Sequence, residues 1–502
     1  MNGHLLTLLT FSPLVGVLAL LVVPRGQTAL IRAIGVLATL VPLALSFVLY
    51  ANFAPEGGLQ FAEKVRWFSI PVGNMAFPVD YEVGVDGLSL PLVLLTTLVT
   101  AMAAAASVHV RQNLKTYFVC FLLLEVGMLG VFTSQNLFLF FLFFELTLIP
   151  MFFLISKWGY LEREKAALHF LVYNGVGSAL LFLAILTLFV RVGDLSFTRV
   201  AKALTQGAPL PLLSDTLALV LFVLLVVAFG VKLPLFPFHT WMLRVHVQAP
   251  PPVVMLHSGI QLKMGAYGLL RMGVGFFPEV AAKLATLLAV WGLVNVLYGA
   301  VLALVQRDLK RVFAYSSISH MGIVLLGLAA MNATGFTGAV FQAVSHGFIS
   351  ALLFLLVGVI WERTGTSTVT EMGGLAKSMP VASGMLLAAA MASLGLPGMS
   401  GFISEFLAFL GLFRVQPALA AVGALGIVLA AAYLLRAVLR TTFGPTPEHL
   451  AGLRDATAVE VVPMLVLLAF IVLLGVWPAV LGDVLHHAVQ TLAAALPGRI
   501  GG

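Results

Sequence analysis

Charge is scarce in this sequence. Asp, Glu, Lys and Arg make up 9% of its 502 residues, where a soluble domain carries about 25%, so the chain cannot clothe a globular surface against water. Cysteine is nearly absent as well. The single thiol, Cys120, lies inside an apolar run, which excludes a disulfide framework, a CxxC zinc site and an iron–sulfur cluster held by this chain alone. It is read as a small core residue. There is no G-x-G-x-x-G motif between a strand and a helix and no P-loop, so nothing points to nucleotide or redox-cofactor binding. No fixed repeat of roughly 20–50 residues is visible.

What fills the chain is hydrocarbon. Hydrophobic residues amount to 61%, in runs of about 20 residues, the length that crosses roughly 30 Å of lipid. The sequence therefore reads as one all-α polytopic membrane domain over residues 1–502. Fourteen spans are expected, at 5–23, 29–53, 88–107, 114–133, 136–155, 166–190, 215–241, 253–276, 280–304, 310–330, 337–361, 381–410, 417–443 and 457–481. The first lacks a basic leader and an A-x-A-type cleavage site and is read as a retained span. The odd-numbered loops hold sixteen basic residues, and the even-numbered loops with the tail hold nine. Cytoplasmic loops collect Lys and Arg, so both termini are expected to face outward. The formal charge of +7 then reflects orientation, and nucleic acid is not an expected partner. The acidic loop 54–87 is expected to lie outside as a hairpin or short capping elements. The residues after the last span read as a short amphipathic tail in which His486 and His487 are surface residues. Asp308, Lys310 and Arg311 read as a solvated loop cluster.

Two spans carry their own interruptions. GVKLPLFPF (230–238) and LGLPGMSGF (394–402) each place Leu-Pro with further Gly or Pro inside an apolar run, which breaks a transmembrane helix. Paired broken helices in two halves of a chain point to an inverted-repeat transporter with its ion path near the breaks.

The charged residues left inside the spans carry the chemistry. Glu145 sits in FFLFFELTLIPMFFLI (140–155) near mid-membrane, where an ionised side chain costs a few kcal/mol, so it needs a partner or water. Lys232, beside Pro234 and Pro237, is the candidate partner; a static ion pair clamping two helices is the alternative. Lys263, the eleventh residue of its span, is too central to snorkel. A desolvated amine can exchange a proton near neutral pH, although a structural lysine with a carboxylate partner would also fit. Glu405 lies just past the second break, near Ser400 and Ser404. His320 and His346 sit near the centres of their spans, and imidazole suits proton relay; singly, each reads as a hydrogen-bonded core residue, and together with Lys263 and Glu405 as a relay member, because membrane burial selects against every one of these groups. Glu125 is a further mid-span carboxylate, read as an accessory site, a subunit contact or a plain hydrogen-bonded core residue. His239, His257 and Tyr267 are close in sequence to the lysines and could orient water, or could be helix-end and core residues.

Together, FFLFFELTLIPMFFLI, AFGVKLPLFPFHTWM, HSGIQLKMGAYGLLR, LKRVFAYSSISHMG and LGLPGMSGFISEF resemble the antiporter-like subunits of respiratory complex I, most closely the M-type (mitochondrial chain 4-like) subunit. They are also related to subunits of multi-subunit Na+/H+ antiporters. The resemblance covers nearly the whole chain. It implies fourteen transmembrane helices with two inverted five-helix repeats, whose seventh and twelfth helices are broken. The chain divides into three N-terminal helices with the outer loop (1–107), a first repeat (114–276), a second (280–443), and the last helix with the tail (457–502). The resemblance also implies roles: Glu145 and Lys232 as the coupling pair, Lys263 as the central lysine, His320 and His346 as connecting histidines, and Glu405 as the terminal group. In L-type and N-type relatives that last position is usually lysine, so glutamate favours the M-type. The implied function is proton translocation coupled to quinone reduction in other subunits. No cofactor is expected in this chain, and quinone, NADH, FMN and iron–sulfur clusters are expected in partner subunits. L-type and N-type neighbours are the expected partners, and the lipid is the inner membrane of a bacterial-type cell. The alternatives are a subunit of a cation/proton antiporter or a membrane-bound hydrogenase-type complex, a structural scaffold, and a self-contained solute carrier.

Overall fold

In lipid, a backbone must satisfy its own hydrogen bonds, so long apolar runs become helices. The computed structural model describes residues 3–72, 75–205 and 213–497. Among these, twelve helices are long and apolar enough to cross a membrane. The chain opens with α1 (Leu5–Val22) and α2 (Thr28–Ala51), then a hairpin of β1 (Gln60–Val72) and antiparallel β2 (Met75–Val85). Next come α3 (Leu90–His109), α4 (Leu114–Thr133), α5 (Leu137–Trp158) and α6 (Arg163–Val192). A short surface helix, α7 (Phe197–Thr205), precedes α8 (Asp215–Lys232) and α9 (Thr240–Gln248). A continuous helix, α10, covers 251–274. The second half holds α11 (Ala285–Val305), α12 (Leu309–Ala329), α13 (Ala333–Thr364), α14 (Pro380–Ser393), α15 (Ser400–Phe413), α16 (Pro417–Thr442), α17 (Ala458–Val476) and the tail helix α18 (Ala479–Ala494).

The seventh crossing is α8 continued by α9, and the twelfth is α14 continued by α15. With α10 as the eighth, the crossings come to fourteen. The acidic loop is the expected hairpin. Its Glu63 caps α1, accepting from the Leu6 and Thr7 amides at 2.8 and 3.3 Å, which satisfies helix-end donors and places a negative charge at the positive end of the dipole.

Burial sorts the helices. The apolar stretches of α12 and α13 are 94% and 100% buried, against 33% for α2, α6, α16 and α17. The latter form the rim and turn exposed residues such as Leu183, Val190, Val428 and Val462 outward. Polar side chains on α10, α12 and α13 therefore lie in the middle of the protein, away from lipid.

Candidate functional site

Prolines break the seventh crossing, and neighbours repair it. After Lys232, the last residue of α8, the freed backbone finds new partners. The Phe236 amide donates to Asn295 Oδ1 at 2.6 Å, the Trp291 indole donates to the Phe236 carbonyl, and Trp241 Nε1 donates to the Val231 carbonyl at 3.2 Å. The twelfth crossing breaks at 394–399 around Gly395 and Gly398, whose φ angles of +82° and +93° lie in the left-handed region that glycine adopts without strain. A Cβ on Gly395 would stand 2.9 Å from Glu405 Oε2, so this glycine also makes room for the carboxylate.

Lys263 lies on α10 between two π-helical stretches, His257–Gln261 and Leu269–Val274, a distortion frequent at functional sites. Fully buried, its ammonium donates to the Ser258 carbonyl and lies 2.7 Å from His346 Nδ1 on α13. Two glycines make this approach possible. A Cβ on Gly347 would stand 2.8 Å from the Gly259 carbonyl, so the backbones of α10 and α13 touch one residue beyond His346. Gly347→Val should force them apart at a cost of about 1–3 kcal/mol. The expected result is a lower Tm for the assembled protein and slower ion movement even where it assembles.

From His346 the polar chain continues. Its Nε2 is 3.2 Å from Ser317 Oγ, and its ring centroid is 5.5 Å from that of His320. His320 Nδ1 lies 3.3 Å from Glu405 Oε1 and 3.1 Å from Gln342 Nε2, while its Nε2 is 3.2 Å from Ser393 Oγ. Ser404 donates to Gln342 Oε1 at 2.5 Å. Beyond Glu405, a cleft of about 490 Å³ lined by Phe402, Phe406, Phe409 and Ala420 opens at the rim. Lys263, His346, His320 and Glu405, drawn from four helices, thus form one connected series.

The other end is arranged differently. The structure does not bring Glu145 and Lys232 together as an ion pair, because no Glu145 oxygen comes within 4.0 Å of the ammonium. The Lys232 ammonium instead lies over the rings of Phe144 and Phe170, at 5.2 and 5.6 Å, held by cation–π attraction. Glu145 is half-buried on α5, two residues before an interruption at Thr147, and its Oε1 has no protein partner. Between the two lysines stands a pair that was only half visible beforehand. His246 Nε2 is 2.9 Å from His257 Nδ1, both rings are buried, and Lys232 and Lys263 both act electrostatically on His257. Each ring's remaining nitrogen lacks a protein partner.

Three candidates fall off this series. His239 bonds the Tyr298 hydroxyl at 3.1 Å at the start of α9. Tyr267 accepts from Arg271 Nε at 3.2 Å. Glu125 is fully buried on α4, with no protein partner for either oxygen. His246 was missed; its signal was a second histidine eleven residues before His257, across a proline run. Gln342 was readable, since in QAVSH it precedes His346 by one helical turn and so shares its face. The expected solvated cluster needs correcting too. Lys310 is 6% exposed, covered by Tyr160 and Trp361 with its ammonium 4.0 Å from the Tyr160 ring centre, while Asp308 caps α12 through the Arg311 amide. Among the described residues there is no group of three or more His, Cys, Asp and Glu side chains placed to hold a metal ion.

Residues 134–430 match the family described as "NADH:quinone oxidoreductase/Mrp antiporter, TM". NADH-quinone oxidoreductase subunit M of Rhodobacter capsulatus is 38% identical over 97% of this chain and 96% of the relative. NAD(P)H-quinone oxidoreductase chain 4 of Gloeobacter violaceus is 39% identical over 99% of this chain and 94% of the relative. Among solved structures, a chain of respiratory complex I from Thermus thermophilus with bound NADH superposes with a TM-score of 0.87 at 29% identity, covering 98% of this chain and 100% of that one.

Proposed function

The chain belongs to the NADH:quinone oxidoreductase/Mrp antiporter membrane family, and from that premise we propose that its buried series carries protons across the membrane. Near full-length likeness to M and chain 4 subunits makes it an antiporter-like, multi-pass membrane subunit of an NADH-quinone oxidoreductase. The observation that carries the residue-level reading is the series Lys263–His346–His320–Glu405, in which Lys263 contacts His346, His320 contacts Glu405, and the two imidazole rings stand 5.5 Å apart between centroids.

Protons enter from the face formed by the odd-numbered loops. A cavity of about 340 Å³ there, lined by His109, Arg111, Lys157, Arg163, Pro251 and Leu355, reaches the start of α10. Phe354, next to Leu355 in the chain, packs on His246 with ring centroids 5.0 Å apart. The His246–His257 pair hands the proton to Lys263, and His346 and His320 pass it on to Glu405 and the opposite face. Glu145 and Lys232 set the timing. With Lys232 resting on its two aromatic rings, its charge bears on His257. Moving Lys232 toward Glu145 pairs that charge off and raises the proton affinity of the stations behind it. Moving one charge against 100 mV takes about 2.3 kcal/mol, equivalent to roughly a fifty-fold change in proton affinity, so local electrostatics is large enough.

Further parts of the reading go with this one: residues 114–276 and 280–443 are inverted repeats, and both termini face outward from a bacterial-type inner membrane. L-type and N-type subunits are the neighbours, and quinone, NADH, FMN and iron–sulfur clusters belong to partner subunits. Glu145→Ala in the assembled complex tests the mechanism. Proton pumping measured with a pH-sensitive dye is expected to fall severalfold at unchanged subunit content; pumping at the normal rate in a fully assembled variant would refute the role.

A further inference from the structure

The helix that carries Lys263 carries two more polar side chains at four-residue spacing, Tyr267 and Arg271. Residues so spaced share one face of a helix, and the row climbs from the central lysine toward the hairpin face over roughly 12 Å. Arg271 ends it. Its guanidinium forks onto Asp86 at 2.6 and 2.7 Å, its Nε donates to the Tyr267 hydroxyl, and its carbon lies 5.2 Å from the Tyr267 ring centre. Asp86, just ahead of α3, also accepts from the Leu88 and Ser89 amides at 3.1 Å each. Arg271 and Asp86 line a cavity of about 400 Å³ on the hairpin face, together with Gln135, Lys202 and His487. Beneath the pair the packing is aromatic: Tyr267 meets Phe132 and Phe140 at 5.4 and 6.5 Å, and Gly268 lies against the Phe229 ring.

This arrangement differs in kind from the run to Glu405. Burial alone would push the Asp86 carboxyl up, but Arg271 and the backbone donors outweigh it and hold the group below the usual carboxylate range. Guanidinium stays protonated at any working pH. Neither partner can pass a proton on. An ion pair that neither takes up nor gives up a proton, set over packed aromatic rings, offers hydronium no titratable group to pass through, and its guanidinium repels an approaching cation.

We propose that Asp86, Arg271 and Tyr267 plug the short way out from Lys263, so that a proton leaving the lysine must travel sideways through His346 and His320 to Glu405. The proposal rests on Lys263 being a proton station. A mere clamp between the hairpin loop and α10 would use the same contacts, so the test must read charge rather than shape.

The assembled complex is reconstituted in liposomes with no electron donor, an inward potential is set with potassium and valinomycin, and internal pH is followed with pyranine. Arg271→Met is expected to raise passive proton influx about tenfold, while Arg271→Lys, which keeps the cation, stays near wild type. Asp86→Asn combined with Arg271→Gln keeps hydrogen-bonding groups without charge and should leak as well, and it carries the test if Arg271→Met fails to assemble. If the assembled neutral variants are as tight as wild type, or Arg271→Lys leaks as much as they do, the plug is overturned. Turnover-driven pumping by Lys263→Ala probes the underlying reading separately, because the leak is measured without turnover.

Discussion

Replacing Lys263 with alanine is expected to leave a complex that still oxidises its donor but pumps protons at about a hundredth of the normal rate through this subunit. The size follows from the gap the substitution opens. Lys263 is 2.7 Å from His346 and is the group between that histidine and the His246–His257 pair. A charge crossing uncompensated at the centre of a membrane costs about 2.5–3.5 kcal/mol, and each 1.4 kcal/mol or so is tenfold in rate. Two companions separate a station from a structural charge. Lys263→Met keeps most of the volume, so a cavity cannot be blamed for the loss. Lys263→Arg keeps the charge but cannot release a proton, so it should also fail; a purely structural lysine would tolerate it. Pumping measured against electron transfer in the same vesicles decides the matter, and near-normal pumping by Lys263→Arg would sink the station.

Glu405→Gln should have an effect of similar size for a different reason. Glutamine matches the shape of the carboxylate and can still bond His320, which now lies 3.3 Å from it. Assembly is therefore expected to be normal, while a proton reaching His320 finds no titratable group between it and the rim cleft. Pumping should fall about tenfold or more, as for a lost proton-transfer group. Glu405→Asp retains the chemistry with a shorter reach and should recover part of the rate. Equal pumping by the Gln and Asp variants would remove Glu405 from the path.

Much of this was legible in the sequence because a membrane penalises every polar atom it buries. Apolar run length marked all fourteen crossings, Leu-Pro elements marked both breaks, and the rarity of mid-span charge singled out Glu145, Lys232, Lys263 and Glu405. Contacts were harder to read, because they depend on how helices rotate and cross. Nothing in the sequence says that Lys232 rests over two phenylalanine rings, Phe144 and Phe170, with Glu145 acting on it only from beyond contact distance. The same holds for His246, which joins His257 only because α9 and α10 meet at a tight Pro-rich turn. Lys310 looked like a loop residue until tertiary packing laid over it Tyr160, from the turn before α6, and Trp361, from the end of α13. Tyr267 looked like an accessory to the lysines, yet its hydroxyl is held by Arg271.

The meeting of Gly259 with Gly347 leaves α10 and α13 no clearance in which to slide. A machine with such tight tolerances cannot work by levering those two rods apart and back. Under the proposed relay, side chains and water between the helices would do the moving, since a rotamer change needs far less room than the displacement of a helix. On the same reading, the slow step would belong to Lys232, away from this contact.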